Sequence, residues 1–274
     1  FVPAFIGVIA NALYNIVDRI FIGRYVGAEA LSGIGVVYPV MLIIMGFGML
    51  IGIGTGVIAS IRLGKKDREG AQTVLGTAVA AIIVVSVIIS VVVYMIKTPL
   101  LQSFGSTPAT IKYASDYLNV ILLGTIFAMM GFSLNNVIRS EGNARIAMLS
   151  MLISAGLNVI LDYLFVVVLG WGVAGAAWAT VLSMLALTIW VLVHFTGNKC
   201  VIPLRWSKIK IDKPVALEII AIGMSPFAMQ IASSVVQGLF NHRLIQFGND
   251  TAVAAMSIII SVISLILMCL VAIN

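Results

Sequence analysis

The 274-residue sequence predicts an all-α integral membrane protein, built as a polytopic helical bundle. Three observations predict this fold class. The composition is 61% hydrophobic and only 9% charged, whereas soluble domains are about 25% charged. Apolar runs recur along the chain and reach the roughly 20 residues that span a hydrocarbon core. The basic residues lie in the loops between these runs, so the net charge of +6 indicates a lipid bilayer and no nucleic acid as partner.

Eight apolar runs are predicted to cross the membrane. They cover residues 1–23, 32–61, 73–96, 113–138, 146–169, 171–196, 215–240 and 251–273. The fifth and sixth runs meet around Gly170 with almost no loop, which predicts a tight antiparallel hairpin. In the second run, Gly48, Gly52 and Gly56 recur at four-residue spacing. We expect these three glycines to form a bare stripe that a neighbouring backbone approaches closely.

Lysine and arginine are distributed unevenly between the loops, and this distribution predicts the orientation. The even-numbered loops hold eleven of them: Arg62, Lys65, Lys66, Arg68, Arg139, Arg145, Lys199, Arg205, Lys208, Lys210 and Lys213. The odd-numbered loops hold four, which are Arg24, Lys97, Lys112 and Arg243. We therefore expect the even-numbered loops and the N-terminal side to face the cytoplasm.

A weak internal repeat predicts how the chain divides. Pro3 lies fifteen residues before Asp18, and Pro226 lies fifteen residues before Asn241. The sequence thus predicts an N-terminal six-helix lobe over 1–196, a basic cytoplasmic linker over 197–214, and the first two helices of a second, pseudo-symmetric lobe over 215–274. Because the chain begins with Phe1 inside an apolar run, we expect a fragment of a longer protein with two six-helix lobes.

The first apolar run carries Asp18 beside Arg19, well inside the membrane span. A carboxylate at such a depth costs about 3 kcal/mol even on the lenient insertion scale, and it normally faces other helices or a water-filled path. The alternative is that Asp18 pairs with Arg19 and reaches towards the nearer surface. Neighbouring residues point about 100° apart on a helix, so that pairing is strained. The sequence favours a functional role for Asp18.

Three further polar residues are predicted to join Asp18 in one pocket. Asn158 and Asp162 lie four residues apart and therefore share a helical face. Counted from the outer ends of their helices, Asp18, Asp162 and Thr180 lie about 13, 12 and 13 Å deep. The matching depths favour a common pocket. The alternatives are an interhelical hydrogen bond for Asn158 and a hydrogen bond from Thr180 to its own helix.

The chemistry of this predicted pocket suits a small hard cation or a proton. Its groups are oxygen donors, which favour Na+ over a soft transition metal. Two carboxylates in one dry pocket cannot both stay ionised cheaply, so one is expected to bind a cation or take up a proton. No cofactor is expected besides this coupling ion. Cys200 and Cys269 provide neither a disulfide framework nor metal-ligand spacing.

Four segments resemble the multidrug and toxic compound extrusion (MATE) transporters, in particular their MepA-like bacterial branch. They are LYNIVDRIFIGRYVGAEALSGIGVVYP, NVILDYLFV, GWGVAGAAWATVLS and GMSPFAMQIASSVVQGLFNHRLIQFGND. The resemblance implies twelve helices in two pseudo-symmetric lobes. It also implies a monomeric drug/cation antiporter of the bacterial cytoplasmic membrane, which confers drug resistance by exporting cationic and amphipathic compounds in exchange for Na+ or H+ by alternating access.

The same resemblance implies roles for individual residues. A cation site in some members uses a first-helix Asp with an Asn, an Asp and a Thr from the fifth and sixth helices. In this sequence, Asp18, Asn158, Asp162 and Thr180 match that set and would hold the Na+ or the proton. Pro3 matches a first-helix proline that permits bending.

Two other functions compete with an exporter. A related flippase for lipid-linked oligosaccharides would share the two-lobe architecture, but such flippases generally lack this acidic cluster. An integral-membrane enzyme would need a constellation of histidine, acid or nucleophile side chains near the membrane interface. Because His194 and His242 are far apart and lie near opposite membrane faces, we expect no enzymatic activity.

Overall fold

The computed structural model shows eight long helices and no strand within the described residues, 2–197 and 200–273. Within these ranges, the side chains at 2–4, 8, 11, 12, 265 and 267–273 are not described. The helices are α1 (Val2–Tyr25), α2 (Ala28–Gly64), α3 (Arg68–Ser103), α4 (Ile111–Ser140), α5 (Ala144–Asp162), α6 (Gly172–Thr196), α7 (Lys213–Phe247) and α8 (Asp250–Ile273). The prediction of an all-α bundle is confirmed.

Six helices in the described part of the chain are long and apolar enough to cross a membrane. They are α2, α3, α4, α6, α7 and α5 together with the π-helical turn Tyr163–Val168 that extends it. Helices α3 and α7 begin before the predicted apolar runs because an aspartate side chain caps each of them. The carboxylate of Asp67 accepts a hydrogen bond from the Gly70 backbone N–H at 2.8 Å, and Asp212 accepts one from Val215 at 3.2 Å.

A neighbouring helix packs closely against the glycine stripe of α2, as the sequence predicted, and the structure shows that this helix is α4. A Cβ atom added at Gly52 would lie 2.7 Å from Cα of Ser133, and one at Gly56 would lie 2.5 Å from Oγ of Ser140. Ser133 also donates a hydrogen bond through Oγ to the backbone carbonyl of Gly48 at 2.8 Å. The bare stripe therefore lets α2 and α4 approach within backbone contact.

The opposite side of α2 is in close contact with α7. Gly54 faces the backbone of Ile219, and Gly223 faces the backbone of Leu50. Further along the helix pair, Asn241 donates a hydrogen bond through Nδ2 to the Gly35 carbonyl at 2.9 Å. Helix α8 packs against α1 and α2. A pseudo-two-fold axis that relates α1 to α7 and α2 to α8 would turn the α1–α8 contact into the α2–α7 contact, and both contacts are present. The boundaries of the lobes stay a prediction.

Polar contacts group the even-numbered loops at one end of the bundle. Arg62 at the end of α2 lies 3.5 Å from Glu218 of α7, and Nζ of Lys208 in the linker lies 2.8 Å from Oε1 of Glu69. At the other end, Thr107 donates a hydrogen bond to Asp250 at 3.0 Å, joining the third and seventh loops. The basic loops thus share one face, as the charge count required.

Cysteine labelling in intact cells tests which face is cytoplasmic. Cysteines introduced at Lys66 and Lys208 are expected to resist a membrane-impermeant thiol reagent, whereas one at Lys112 should react. Lys66 and Lys112 are both exposed, so differential labelling of these two sites reports the side of the membrane and not burial. The opposite labelling pattern would reverse the orientation.

Candidate functional site

Helix α1 buries Asp18 inside the bundle. Its side chain is only 7% exposed, and its Oδ1 atom has no hydrogen-bond partner. The neighbouring Arg19 does not pair with it, since no ion pair within 4.0 Å joins the two among the described residues. The guanidinium group of Arg19 instead lies over the ring of Tyr38, 5.4 Å from its centroid. Asp18 and Arg19 interact electrostatically, but they do not form the close ion pair of the alternative interpretation.

Helix α5 contributes two fully buried polar residues. Asn158 and Asp162 are both 0% exposed, on the helix that packs against α1 and α6. Both carboxylate oxygens of Asp162 and both polar amide atoms of Asn158 have no hydrogen-bond partner. Leaving a buried polar atom unpaired costs about 1–3 kcal/mol. With Asp18 Oδ1, four buried oxygens of these three residues have no hydrogen-bond partner.

Helix α6 contributes Thr180, which is 8% exposed and lines a cavity. Its side chain hydrogen-bonds to the phenol of Tyr117 on α4, and the described contacts show no hydrogen bond from Thr180 Oγ1 to its own helix. The proximity of the fifth- and sixth-helix residues follows from the predicted hairpin. The π-helical turn of α5 ends at Val168, and α6 begins at Gly172.

Asp18 connects the buried cluster to the cavity. Asp18 and Thr180 line the cavity, whereas Asn158 and Asp162 lie behind its wall. Asp18 and Asp162 are close enough to interact electrostatically. Pro3 lies in the first turn of α1, but its side chain is outside the described part of the structure, so its bending role stays a prediction.

Two tyrosines of the site were missed from the sequence. Tyr14 and Tyr117 are each within electrostatic reach of both Asp18 and Asp162. Tyr14 lies one helical turn before Asp18, so the four-residue spacing could have revealed it. Tyr117 comes from α4, and no local pattern in the sequence indicates that α4 contacts the acidic pair.

The cavity encloses about 180 Å³ and is mostly apolar. Five methionines and four aromatic residues are part of its lining: Met41, Met45, Met129, Met151, Met184, Tyr14, Tyr38, Tyr117 and Phe132. Methionine side chains adapt to irregular shapes, and aromatic faces attract cations. A cavity with this lining suits a flat amphipathic molecule more than a small polar metabolite.

The donor set does not suit a transition metal. No group of three or more His, Cys, Asp or Glu side chains is placed to hold a metal ion within the described ranges. The cluster instead offers carboxylate, amide and hydroxyl oxygens from Asp18, Asp162, Asn158 and Thr180. These hard donors fit Na+, and the two carboxylates also fit a proton.

A buried pair of Glu141 and His194 lies apart from the candidate site, at the ends of α4 and α6. The charge count predicts that these helix ends face the cytoplasm. His194 Nε2 is 3.3 Å from Oε2 of Glu141, and Oε1 of Glu141 accepts a hydrogen bond from the backbone N–H of Ile202 in the linker. Burial raises the pKa of Glu141, and the contact with His194 opposes that rise. This pair joins the linker to the ends of α4 and α6, and neither residue is among those that line the cavity.

A comparison with known families and proteins finds transporters. The MatE family model matches residues 3–164. The multidrug export protein MepA of Staphylococcus aureus strain MSSA476 is 31% identical over 247 residues, covering 90% of this chain and 55% of MepA. MepA of Staphylococcus saprophyticus is 29% identical, with the same coverage. The chain spans about half the length of the curated relatives it matches.

Solved structures give the same result. The MATE multidrug transporter DinF-BH in complex with rhodamine 6G is 39% identical, with a TM-score of 0.93 over 97% of this chain and 60% of that chain. An inward-facing MATE transporter of the MOP superfamily is 28% identical, with a TM-score of 0.84 over 89% of this chain and 56% of its own.

Proposed function

Because this chain belongs to the MatE family, we propose that the protein is a secondary active multidrug efflux transporter, which exports cationic and amphipathic compounds in exchange for Na+ or H+. The observation that carries this proposal is the acidic cluster at the cavity wall. Asp18 lines the cavity and interacts with Asp162, which is fully buried and has two unpaired carboxylate oxygens. One residue is thereby within reach of a substrate and of a coupling ion.

Competition between the coupling ion and the organic cation for Asp18 would couple the inward flux of the ion to the outward flux of the substrate. A Na+ ion or proton held by Asp18, Asp162, Asn158 and Thr180 neutralises the buried carboxylates and removes the attraction for an organic cation. When that ion leaves, the ionised Asp18 faces the apolar cavity and attracts the cation there. Each ligand then stabilises the state the other disfavours, which is the requirement for exchange by alternating access.

The alternatives receive less support. The matched relatives are named as multidrug transporters, which are not enzymes. None of the relatives reported above is named as a flippase, and a flippase function would not explain the buried pair of Asp18 and Asp162. We propose further that the protein lies in the bacterial cytoplasmic membrane, since the MepA relatives are bacterial. That it acts as a monomer remains an expectation from the family resemblance.

Dye transport in proteoliposomes tests the proposal. The purified full-length protein is reconstituted, and rhodamine 6G flux is followed while a Na+ gradient and a pH gradient are imposed separately. We expect dye to move against an opposing gradient of Na+ or H+, and only when that gradient is present. Protein-free liposomes are the control. Dye movement that ignores both gradients would contradict the proposal.

A further inference from the structure

Arg19 is a buried cation that no group in the described part of the chain fully satisfies. Its side chain is 9% exposed, and its Nη1 atom is buried without a hydrogen-bond partner. Its contact with the ring of Tyr38 favours the positive charge. That contact provides no hydrogen-bond acceptor for the Nη1 donors, which stay unpaired. A buried guanidinium with free donors is costly unless an acceptor completes it.

Arg19 points into the same cavity as Asp18. Among the described residues, these two carry the only formal charges in the cavity lining. They are adjacent on α1 and therefore point in directions about 100° apart. The cavity thus offers a carboxylate at one position, a guanidinium at another, and an apolar surface of methionines and aromatic rings between and around them.

A simple cation matches only half of this arrangement. It gains from Asp18 but is repelled by Arg19, and it leaves the donors of Arg19 unpaired. Asp18 and Arg19 interact electrostatically, but no ion pair within 4.0 Å joins them in the described part of the chain, so Asp18 does not accept hydrogen bonds from the Nη1 donors of Arg19. A molecule that carries a cationic and an anionic group satisfies both residues.

We propose that Arg19 is a binding subsite for the carboxylate of zwitterionic amphipathic substrates. The carboxylate accepts hydrogen bonds from the guanidinium edge, which binds planar acids in a two-point geometry. The cationic end of the molecule lies towards Asp18, and its apolar body lies against the methionines. This inference rests on the proposed efflux function and narrows its substrate class.

A second cavity also borders Arg19, the residue proposed to bind the carboxylate. It lies between α1, α2 and α8, encloses about 400 Å³, and is lined by Gly23, Leu31 and Ala254 among others. Arg19 and Ser261 line both cavities and so form the wall between them. Arg19 therefore borders a cavity on each of two sides of α1, although its own exposure is small.

Two dyes that differ only at the carboxyl group test the subsite. Rhodamine 110 has a free carboxylate and is zwitterionic, whereas rhodamine 123 is its methyl ester and is cationic. Binding to the purified full-length protein is measured by fluorescence polarisation. We expect Arg19→Gln to weaken binding of rhodamine 110 by about 10- to 100-fold, as the loss of charge-assisted hydrogen bonds does. Binding of rhodamine 123 should stay unchanged or become tighter, since a repelling charge is removed.

Arg19→Lys is the matched control, because it keeps the charge but loses the planar fork. It should retain part of the affinity for rhodamine 110. Retained binding of rhodamine 123 shows that each variant is folded. An equal loss of both dyes in Arg19→Gln would make Arg19 a structural residue and overturn the inference, as would an unchanged affinity for rhodamine 110. If the unmodified protein binds neither dye, the proposed efflux function itself fails.

Discussion

Asp162→Asn is expected to uncouple dye efflux from the ion gradient while the protein stays folded. Asparagine nearly preserves the shape of the side chain but removes a fully buried charge whose two oxygens have no hydrogen-bond partner. The thermal midpoint should therefore stay the same or rise. Gradient-driven transport of rhodamine 6G in proteoliposomes should fall at least tenfold, to about the level without a gradient. A loss of about 1.4 kcal/mol in the binding free energy of the coupling ion is enough to weaken its binding tenfold.

Asp116→Asn provides the matched control for this change. Asp116 is an exposed acid on α4, so the substitution removes the same charge without touching the buried cluster. It should leave coupling intact. Thr180→Val should cause a milder loss than Asp162→Asn, since its hydroxyl is one donor among several and already bonds to Tyr117. Coupled transport at the unmodified rate in Asp162→Asn would remove Asp162 from the coupling site.

Gly223→Ala is expected to destabilise the protein by separating α7 from α2. A Cβ atom at this position would collide with the carbonyl oxygen of Leu50, which belongs to the α2 backbone and cannot rotate away. Overpacking of this kind costs about 1–3 kcal/mol. We expect a fall of several degrees in the thermal midpoint, measured by size-exclusion chromatography after heating in detergent. Gly54→Ala should act similarly, since its Cβ would meet the backbone of Ile219.

Gly156→Ala is the control within the same bundle. No atom lies within 4 Å of a Cβ built at Gly156, so the change adds no contact. Alanine is the better helix former by about 1 kcal/mol, and the thermal midpoint should stay or rise. If Gly223→Ala and Gly156→Ala behaved alike, the close backbone contact between α2 and α7 would have no energetic importance.

The elements predicted from the sequence are those that depend on local spacing. The apolar runs gave the spans, the short link at Gly170 gave the α5–α6 hairpin, and the four-residue glycine spacing gave the stripe on α2. Which helix packs on that stripe was not predictable, because α4 and α7 are both apolar and carry no partner-specific pattern. The π-helical turn after Asp162 likewise has no local signal in the sequence.

For the candidate site too, the sequence could predict the residues but not their arrangement in space. Asp18, Asn158, Asp162 and Thr180 were found because a polar residue in an apolar span is costly wherever it points. Their arrangement relative to the cavity was not predictable, since it depends on how α1 and α5 rotate against each other. The unpaired Nη1 atom of Arg19 also required the structure, because the sequence shows only that Arg19 is adjacent to Asp18.

The central claim is that Asp18 and Asp162 act as one ion-responsive site, and a double-mutant cycle tests it most directly. Gradient-driven dye transport is measured for Asp18→Asn, Asp162→Asn and the double variant in the full-length protein, reconstituted under identical gradients. Residues that hold one ion together are not additive, so the double variant should lose little more coupling than either single variant. Independent and additive losses, or coupling that survives both substitutions, would contradict the account and make the two aspartates separate structural acids.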